Sequence, residues 1–491
     1  MKKKQAAIIG AGIAGLASAI RLRAQGHEVS VFEANNYPGG KLTAFEKMGY
    51  RFDMGPSLFT MPHLVEDLFK VAKKPIHSYF KYKKKKNICT YFFEDGTYFE
   101  APADQKEFAK KAAETFDISE KELANYLDQS KKKYDLTAPL FLEKSLHKTS
   151  TYLSKKTLKA AINIGVLDLN KSLSALNEKT FRDPRLVQFF NRFATYNGSS
   201  PYKTPGIMSM IPHLEQHYGT YFPVGGMHQI TLSLFNLAKD IGVKFEFNSP
   251  VDEIITQDNR TTGLLVNQKR IQADLVISNA DIVPTYRRLL PKHKAPERTL
   301  SQPRSSSALI FYWGIKKTFP QLDLHNIFFS KDYQKEFEHI FEKQSVYDDP
   351  TIYLNISSKD APKDAPKGCE NWFTMINVPN NTGQDWDTVI ERSRTKIIDK
   401  LSRLLKQDIT ELIEQESILD PRTIESKTQS YQGALYGASS NNKFAAFLRH
   451  PNFKSNLQNL YFCGGSVHPG GGIPLCLLSG KIVADLIEKN E

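Results

Sequence analysis

The chain has 491 residues, 40% hydrophobic and 24% charged, a globular balance that excludes wholesale disorder and predicts two or three domains. Lys and Arg number 66 against 53 Asp and Glu, a net charge of +13. That surplus points to a polyanionic partner, either nucleic acid or an anionic membrane surface, or to a merely basic exterior. The four cysteines (Cys89, Cys369, Cys463, Cys476) have no CxxC spacing and no HExxH occurs, so neither a disulfide framework nor a metal site is expected. A reducing, cytoplasmic setting fits this cysteine usage.

The longest apolar stretch, Ala6–Ile20, is fifteen residues, below the ~20 needed to span a bilayer. Following Lys2, Lys3 and Lys4, it imitates a secretory signal, but its internal order is different. Gln5–Gly10 reads as a buried strand, Gly10, Gly12 and Gly15 form G-x-G-x-x-G, Ile13–Gln25 has a helical pattern, and His27–Ala34 is a second strand with Glu33 at its end. This is the dinucleotide-binding order. Gly10 permits the turn, Gly12 lets a pyrophosphate approach, Gly15 lets helix and strand pack, Ile13 and Ala14 open the helix whose free N–H groups face phosphate, and Glu33 can bind a ribose diol. Gly39-Gly40-Lys41 follows, with Lys41 expected near the pyrophosphate.

Further along, residues 73–159 hold 19 lysines against 12 acidic residues, densest at Lys81, Lys83, Lys84, Lys85 and Lys86. Residues 104–215 read as mostly helical, with Leu158, Ile162, Val166 and Leu169 at helical spacing. Residues 291–425 alternate strand-like runs, such as Ser307–Ile315, with polar loops, among them Lys359–Lys367, expected to be exposed. At the other end, Leu460–Cys463 reads as a buried strand. Gly464, Gly465 and the run His468-Pro469-Gly470-Gly471-Gly472-Ile473-Pro474 lead into a helix from about Leu475 to Glu488. A second glycine turn entering a helix repeats the cradle. No second G-x-G-x-x-G appears in a strand–turn–helix setting, so no nicotinamide domain is expected and electrons would leave to an external acceptor, oxygen or a quinone.

These segments resemble the bacterial-type phytoene desaturases and related carotenoid desaturases, within the flavin amine-oxidase-like superfamily. The likeness rests on Gly464–Pro474 with Leu477-Leu478-Ser479-Gly480-Lys481, on Asp53-Met54-Gly55-Pro56, on Val224-Gly225-Gly226-Met227 and on Asp274–Leu289. The blocks Gly55–Pro62 and Arg192–Pro201 look closer to the 1-hydroxycarotenoid 3,4-desaturase branch than to the phytoene enzymes. The resemblance implies an α/β (α+β overall) fold: a discontinuous Rossmann-like FAD-binding domain (1–80, 216–290, 426–491), a mostly helical substrate and membrane-facing region (81–215) and a mixed substrate domain (291–425). It implies FAD held by Gly10, Gly12, Ile13, Ala14, Gly15, Glu33, Gly39, Gly40, Lys41, Gly55, Pro56, Val251, Gly464, Gly465, Gly472, Ile473 and Pro474. It implies a long acyclic carotenoid as substrate, collected by a cytoplasmic enzyme resting peripherally on the membrane, with nucleic acid excluded. Candidate catalytic residues are His468, Arg192 and Tyr196. His468 could face the ring or only fix its loop, and Arg192 with Tyr196 could hold a terminal hydroxyl or form a packing salt bridge. Asp53 reads as structural, and no proton acceptor is named. Rival readings are a phytoene or dehydrosqualene desaturase, a carotenoid isomerase, a flavin amine oxidase, and a non-enzymatic basic binding protein.

Overall fold

The computed structural model describes residues 3–148, 151 and 164–489. A five-stranded parallel sheet, in the order Leu460–Phe462, Leu275–Ser278, Gln5–Ile9, Glu28–Phe32, Lys244–Glu246, gathers three distant parts of the chain. Four of the five residues in Gln5–Ile9 are buried, because a parallel strand inside such a layer is covered on both faces. The expected amino-terminal helix runs Ile13–Ala24, and the carboxyl-terminal one runs Ile473–Lys489, beginning two residues before its expected start. The second strand is shorter than His27–Ala34, at Glu28–Phe32.

Those two helices pack directly on one another. A Cβ on Gly480 would lie 2.9 Å from Ala17 Cβ and 3.0 Å from Ala14 O, so glycine there lets the backbones touch. Ala14, Ala17, Ile482, Val483 and Ile487 fill the seam. Both helices start at the carboxyl edge of the same sheet, which places two glycine turns side by side.

A second sheet has seven strands, in the order Ile413–Leu419, Ser307–Ile315, Glu370–Val378, Ile352–Asn355, His325–Phe328, Asn87–Phe92, Tyr98–Pro102. Ser307–Ile315 matches its expected span end to end. Strands from residues 87–102 thus join strands from residues 307–419 in one layer. Alternation divides its faces. Leu309, Phe311, Trp313, Trp372 and Ile376 pack under the helix Trp386–Leu405. Ala308, Ile310, Phe373, Met375 and Tyr353 face the opposite way, onto an internal cavity.

The helical layer contains Gln105–Thr115, Glu120–Phe141, Leu173–Thr180 and Pro184–Asn191. Glu120–Phe141 starts from a capping box, Ser119 with Glu122. Of the expected stripe, Leu158 and Ile162 lie outside the described residues, Val166 sits in a short 3-10 turn, and Leu169 lines the cavity. The loop Lys359–Lys367 departs from its expected exposure: Pro362 and Pro366 are exposed, but Asp364 is buried beneath Arg51, 3.2 Å away, because the carboxylate has that guanidinium and Ser357 Oγ to satisfy it. No helix among the described residues is long and apolar enough to cross a membrane.

Replacing Gly480 by Val is expected to cost about 1–3 kcal/mol by forcing the two helices apart. The check is a thermal melt. A lowered midpoint is the expected result, and an unchanged midpoint would mean that the helices do not meet at this residue.

Candidate functional site

The amino-terminal turn is built without Cβ atoms because none would fit. A Cβ on Gly15 would meet Gly10 O at 2.2 Å, one on Gly12 would meet Asn279 Nδ2 at 2.8 Å, and Gly10 has φ +92°. Gly12 caps the helix, whose first N–H groups have no acceptor within it and face outward with the positive end of the dipole. Asn279, directly after the strand Leu275–Ser278, donates from Nδ2 to Gly10 O at 3.2 Å and also stands against Gly464. One asparagine therefore braces both turns.

Glu33 lies buried beside the first turn. Its Oε2 accepts from Ala11 N at 2.7 Å, and its Oε1 accepts from the Asn35 backbone at 2.9 Å and from its amide at 3.0 Å. A carboxylate has roughly four acceptor positions, so one remains for a ligand hydroxyl. Gly39 N donates to Ala11 O, which seats the second glycine pair on the first turn. A Cβ on Gly40 would come no closer than 3.7 Å to anything, and one on Gly472 would meet nothing within 4 Å, although both glycines line the cavity. These open sides form a cradle that a flat ligand can fill.

Lys41, expected near the pyrophosphate, has carbonyl partners within the chain. Its Nζ donates to the carbonyls of Leu435 at 2.9 Å and Ala434 at 3.2 Å. Burial pushes its pKa down, against the opposing field of Asp281. Lys41 still lines the cavity, with Gly55, Pro56, Val251, Gly465, Ile473 and Pro474. Asp53 proves structural: its carboxylate accepts from Met227 N and His228 N at the start of helix His228–Asp240 and pairs with Arg51.

His468 is 1% exposed and lines the same cavity. Its Nε2 donates to Lys144 O at 2.8 Å, tying the glycine loop to the helical layer. Burial pushes its pKa down to about 4, so the ring is neutral at neutral pH. Arg192 and Tyr196 also line the cavity. Arg192 is buried in an ion pair with Glu215 at 2.8 Å, its Nη2 donates to Tyr91 OH, and its Nη1 lies 3.5 Å from Tyr196 OH. Its guanidinium stands over the Phe193 ring at 4.4 Å. Burial raises the Glu215 carboxyl, against the pull of Arg192. A buried pair of this kind is costly to desolvate, and here it lies on a cavity wall.

The cavity is a single chamber of about 1400 Å³. It runs from the two glycine turns, across the sheet face of Ile310, Phe373 and Met375, to Arg192, and along Tyr134, Phe141, Leu142 and Leu146 of the helical layer. Its volume exceeds the ~300–1,000 Å³ of a pocket for one small ligand, leaving room for a dinucleotide and a long apolar partner together. Phe444, 55% exposed, and Lys443 beside it also line it, which marks an opening to the surface.

Several contributors escaped the sequence reading. Asn279 belonged to a quoted block but was given no role. Glu215, His325 and Tyr353 carry no local motif, and only strand register and helix packing bring them to the chamber, with Tyr91 behind Arg192.

Comparison with known proteins agrees with this architecture. The profile of the family described as flavin containing amine oxidoreductase matches residues 13–488. A 1-hydroxycarotenoid 3,4-desaturase of Flavobacterium sp. (strain P99-3) is 60% identical over 484 residues, covering 99% of each chain. A 4,4'-diaponeurosporene oxygenase of Staphylococcus aureus (strain MSSA476) is 34% identical over 495 residues, again covering 99% of each. Among solved structures, an oxidoreductase from Methanosarcina mazei superposes with TM-score 0.64 at 16% identity, covering 99% of this chain and 100% of that one. The cyclohexylamine oxidase from Brevibacterium oxydans IH-35A does so with TM-score 0.62 at 16% identity, covering 100% of this chain and 99% of that one. The last two likenesses concern the fold alone.

Glu33→Ala removes three hydrogen bonds to a buried carboxylate and loosens the first turn. It is expected to weaken FAD binding about 10- to 100-fold. Fluorescence titration of the apoprotein with FAD checks this, and unaltered affinity would show that Glu33 does not shape the cradle.

Proposed function

The chain belongs to the flavin containing amine oxidoreductase family, and from that premise we propose that it is an FAD-dependent carotenoid desaturase of carotenoid biosynthesis, acting on an acyclic carotenoid hydroxylated at C1. The observation that carries this reading is the continuous chamber, apolar along most of its walls, that joins the glycine cradle to the buried Arg192–Glu215 pair. The 60% identity to a 1-hydroxycarotenoid 3,4-desaturase over the whole chain supports it.

The residues around the cradle fit a flavin dinucleotide. Gly10 and Gly12 would take the pyrophosphate against the start of helix Ile13–Ala24, with Gly15 packing that helix on the turn behind them, Glu33 the ribose, and Gly464, Gly465, Gly472, Ile473 and Pro474 the ring system. When bound, oxidised FAD supplies a hydride acceptor. The protein supplies the rest. Ile310, Phe373 and Met375 give the polyene a flat wall that keeps water out, and Arg192 with Tyr196 receives its hydroxylated end. His468 holds the carboxyl-terminal glycine loop to Lys144 and is assigned a structural role. The proton leaves a carbon next to a cation spread along the polyene and needs only a weak acceptor.

We assign residues 1–80, 216–290 and 426–491 to the FAD-binding domain, and 81–215 with 291–425 to the substrate region. The shared seven-stranded sheet supports treating the two insertions together. The protein would rest on a bilayer surface from the cytoplasmic side. Lys81, Lys83, Lys84 and Lys86 are exposed while Lys85 turns inward to Asp323 and Asp360, and Lys443 flanks Phe444 at the opening. Each lysine at an anionic surface contributes about 1 kcal/mol. Electrons would pass on to oxygen or a quinone.

Incubated separately with phytoene and with a 1-hydroxylated acyclic carotenoid, the holoenzyme is expected to convert only the second, to a product two hydrogens lighter by mass spectrometry. Conversion of phytoene alone would overturn the substrate assignment. An isomer of unchanged mass, or a product that has gained oxygen, would overturn the desaturase reading. In vesicle flotation the protein is expected to rise with anionic lipid and stay down with neutral lipid. Equal binding to both would remove the electrostatic account of docking.

A further inference from the structure

Polar side chains interrupt the apolar sheet wall of the chamber at His325, Tyr353 and Asn377. His325 opens the strand His325–Phe328 and pairs across the ladder with Asn355, and Tyr353 stands two residues before Asn355. Both His325 and Tyr353 line the chamber.

The hydrogen bonds around His325 favour the tautomer protonated at Nε2. Asn355 Nδ2 donates to Leu324 O at 3.0 Å and meets His325 Nδ1 at 3.1 Å. An amide N–H has nothing to bond to on a protonated nitrogen, so Nδ1 holds the lone pair. The Tyr353 hydroxyl lies 2.8 Å from the same nitrogen and 2.8 Å from Ser57 Oγ. The single ring proton therefore sits on Nε2, which is buried and has no acceptor among the described residues. The imidazole stays neutral, because burial, helped by Lys85 and Arg192 and opposed by Asp323, pushes it down to about 3. Arg192 Nε is a second buried donor with no acceptor among the described residues. An orphaned donor in a cavity lining is destabilising unless a ligand oxygen meets it.

We propose that His325 is the specificity-determining residue of this chamber: its Nε2–H receives the C1 hydroxyl oxygen of the substrate, with Arg192 Nε–H as the second donor. The proposal rests on the desaturase reading above and extends it. A hydroxyl oxygen has two lone pairs, one for each donor. On such a substrate the C1 oxygen is attached only two carbons from C3, where the oxidised bond begins. A group that holds that oxygen therefore sets which bond lies over the flavin. The relay Ser57–Tyr353–His325 provides this register, because Ser57 follows Gly55 and Pro56, which line the flavin end of the chamber. A site built to bond a hydroxyl rejects the analogue without it far more strongly than an apolar pocket rejects a misfit.

The test uses FAD-loaded enzyme with its flavin reduced beforehand, so that nothing turns over. A 1-hydroxylated acyclic carotenoid and the parent hydrocarbon of equal length are titrated separately, following the shift of the polyene absorption. Wild type is expected to prefer the hydroxylated ligand by about 100-fold or more. His325→Leu should lose most of that preference while binding the hydrocarbon as before. His325→Gln, which keeps an N–H donor, should recover about tenfold of it. In turnover, KM for the hydroxylated substrate should rise more than kcat falls. An undiminished preference in His325→Leu, an equal loss for both ligands, or no recovery in His325→Gln overturns the proposal. Should His325→Leu fail to retain FAD, Tyr353→Phe decides. A several-fold drop in preference supports the relay, and an unchanged preference overturns it. If wild type desaturates the hydroxylated carotenoid but the variants keep its preference, only this inference falls. If wild type desaturates no carotenoid, the reading beneath it falls as well.

Discussion

Everything in this structure depends on two glycine turns from opposite ends of the chain meeting at one sheet edge. Neither turn tolerates side chains where backbone passes backbone: a Cβ on Gly15 would strike Gly10 O at 2.2 Å, and one on Gly464 would lie 3.0 Å from Asn279 Oδ1. The central strands bring the turns to the same sheet edge, and Asn279 stands between them with its amide on Gly10 O. The helices behind the turns can follow them only because Gly480 lets one backbone rest on Ala14 and Ala17 of the other. A parallel sheet with its helix starts on one edge collects positive dipole ends there, which suits a pyrophosphate.

From this edge the chamber extends into territory with different physics. The seven-stranded sheet turns a largely apolar face to the space, and the helical layer closes the other side. Along such walls burial does the binding, at roughly 25 cal/mol per Å² of apolar surface removed from water. It cannot say which carbon of a repetitive polyene stops beside the flavin. Register has to come from polar groups, among them the Arg192–Glu215 pair with Tyr196 and the Ser57–Tyr353–His325 relay. Binding strength and regiochemistry are thus divided between the many apolar residues and the few polar ones.

The parts of this arrangement legible in the sequence are the local ones. Gly10, Gly12, Gly15 and Glu33 declare themselves by spacing along a strand, turn, helix and strand, and the run from His468 to Pro474 by its density of glycine and proline before a helix. The strand Ser307–Ile315 is legible because, after Ser307, it is an unbroken run without charge or amide. What could not be read depends on partners far along the chain. The neighbours of Lys41 place it near the pyrophosphate, but the carbonyls of Ala434 and Leu435 that its Nζ meets could not be read from them. Arg192 was visible, but its partner Glu215 lies in a turn with no signature. His325 and Tyr353 acquire meaning only when strand register sets them against Asn355 and Ser57. Asp364 sits in a loop whose prolines and lysines suggested exposure, and is buried because Arg51 reaches it.

The central claim is that one chamber holds the flavin and the polyene in contact, so that the hydride lost by the carotenoid goes to that flavin. The most direct test mixes FAD-loaded enzyme with a 1-hydroxylated carotenoid in the absence of oxygen and any other acceptor. The account predicts that the visible band of oxidised flavin bleaches in step with one new double bond per flavin, and that turnover then stops. Product that accumulates while the flavin stays oxidised, or bleaching with no product two hydrogens lighter, would contradict it.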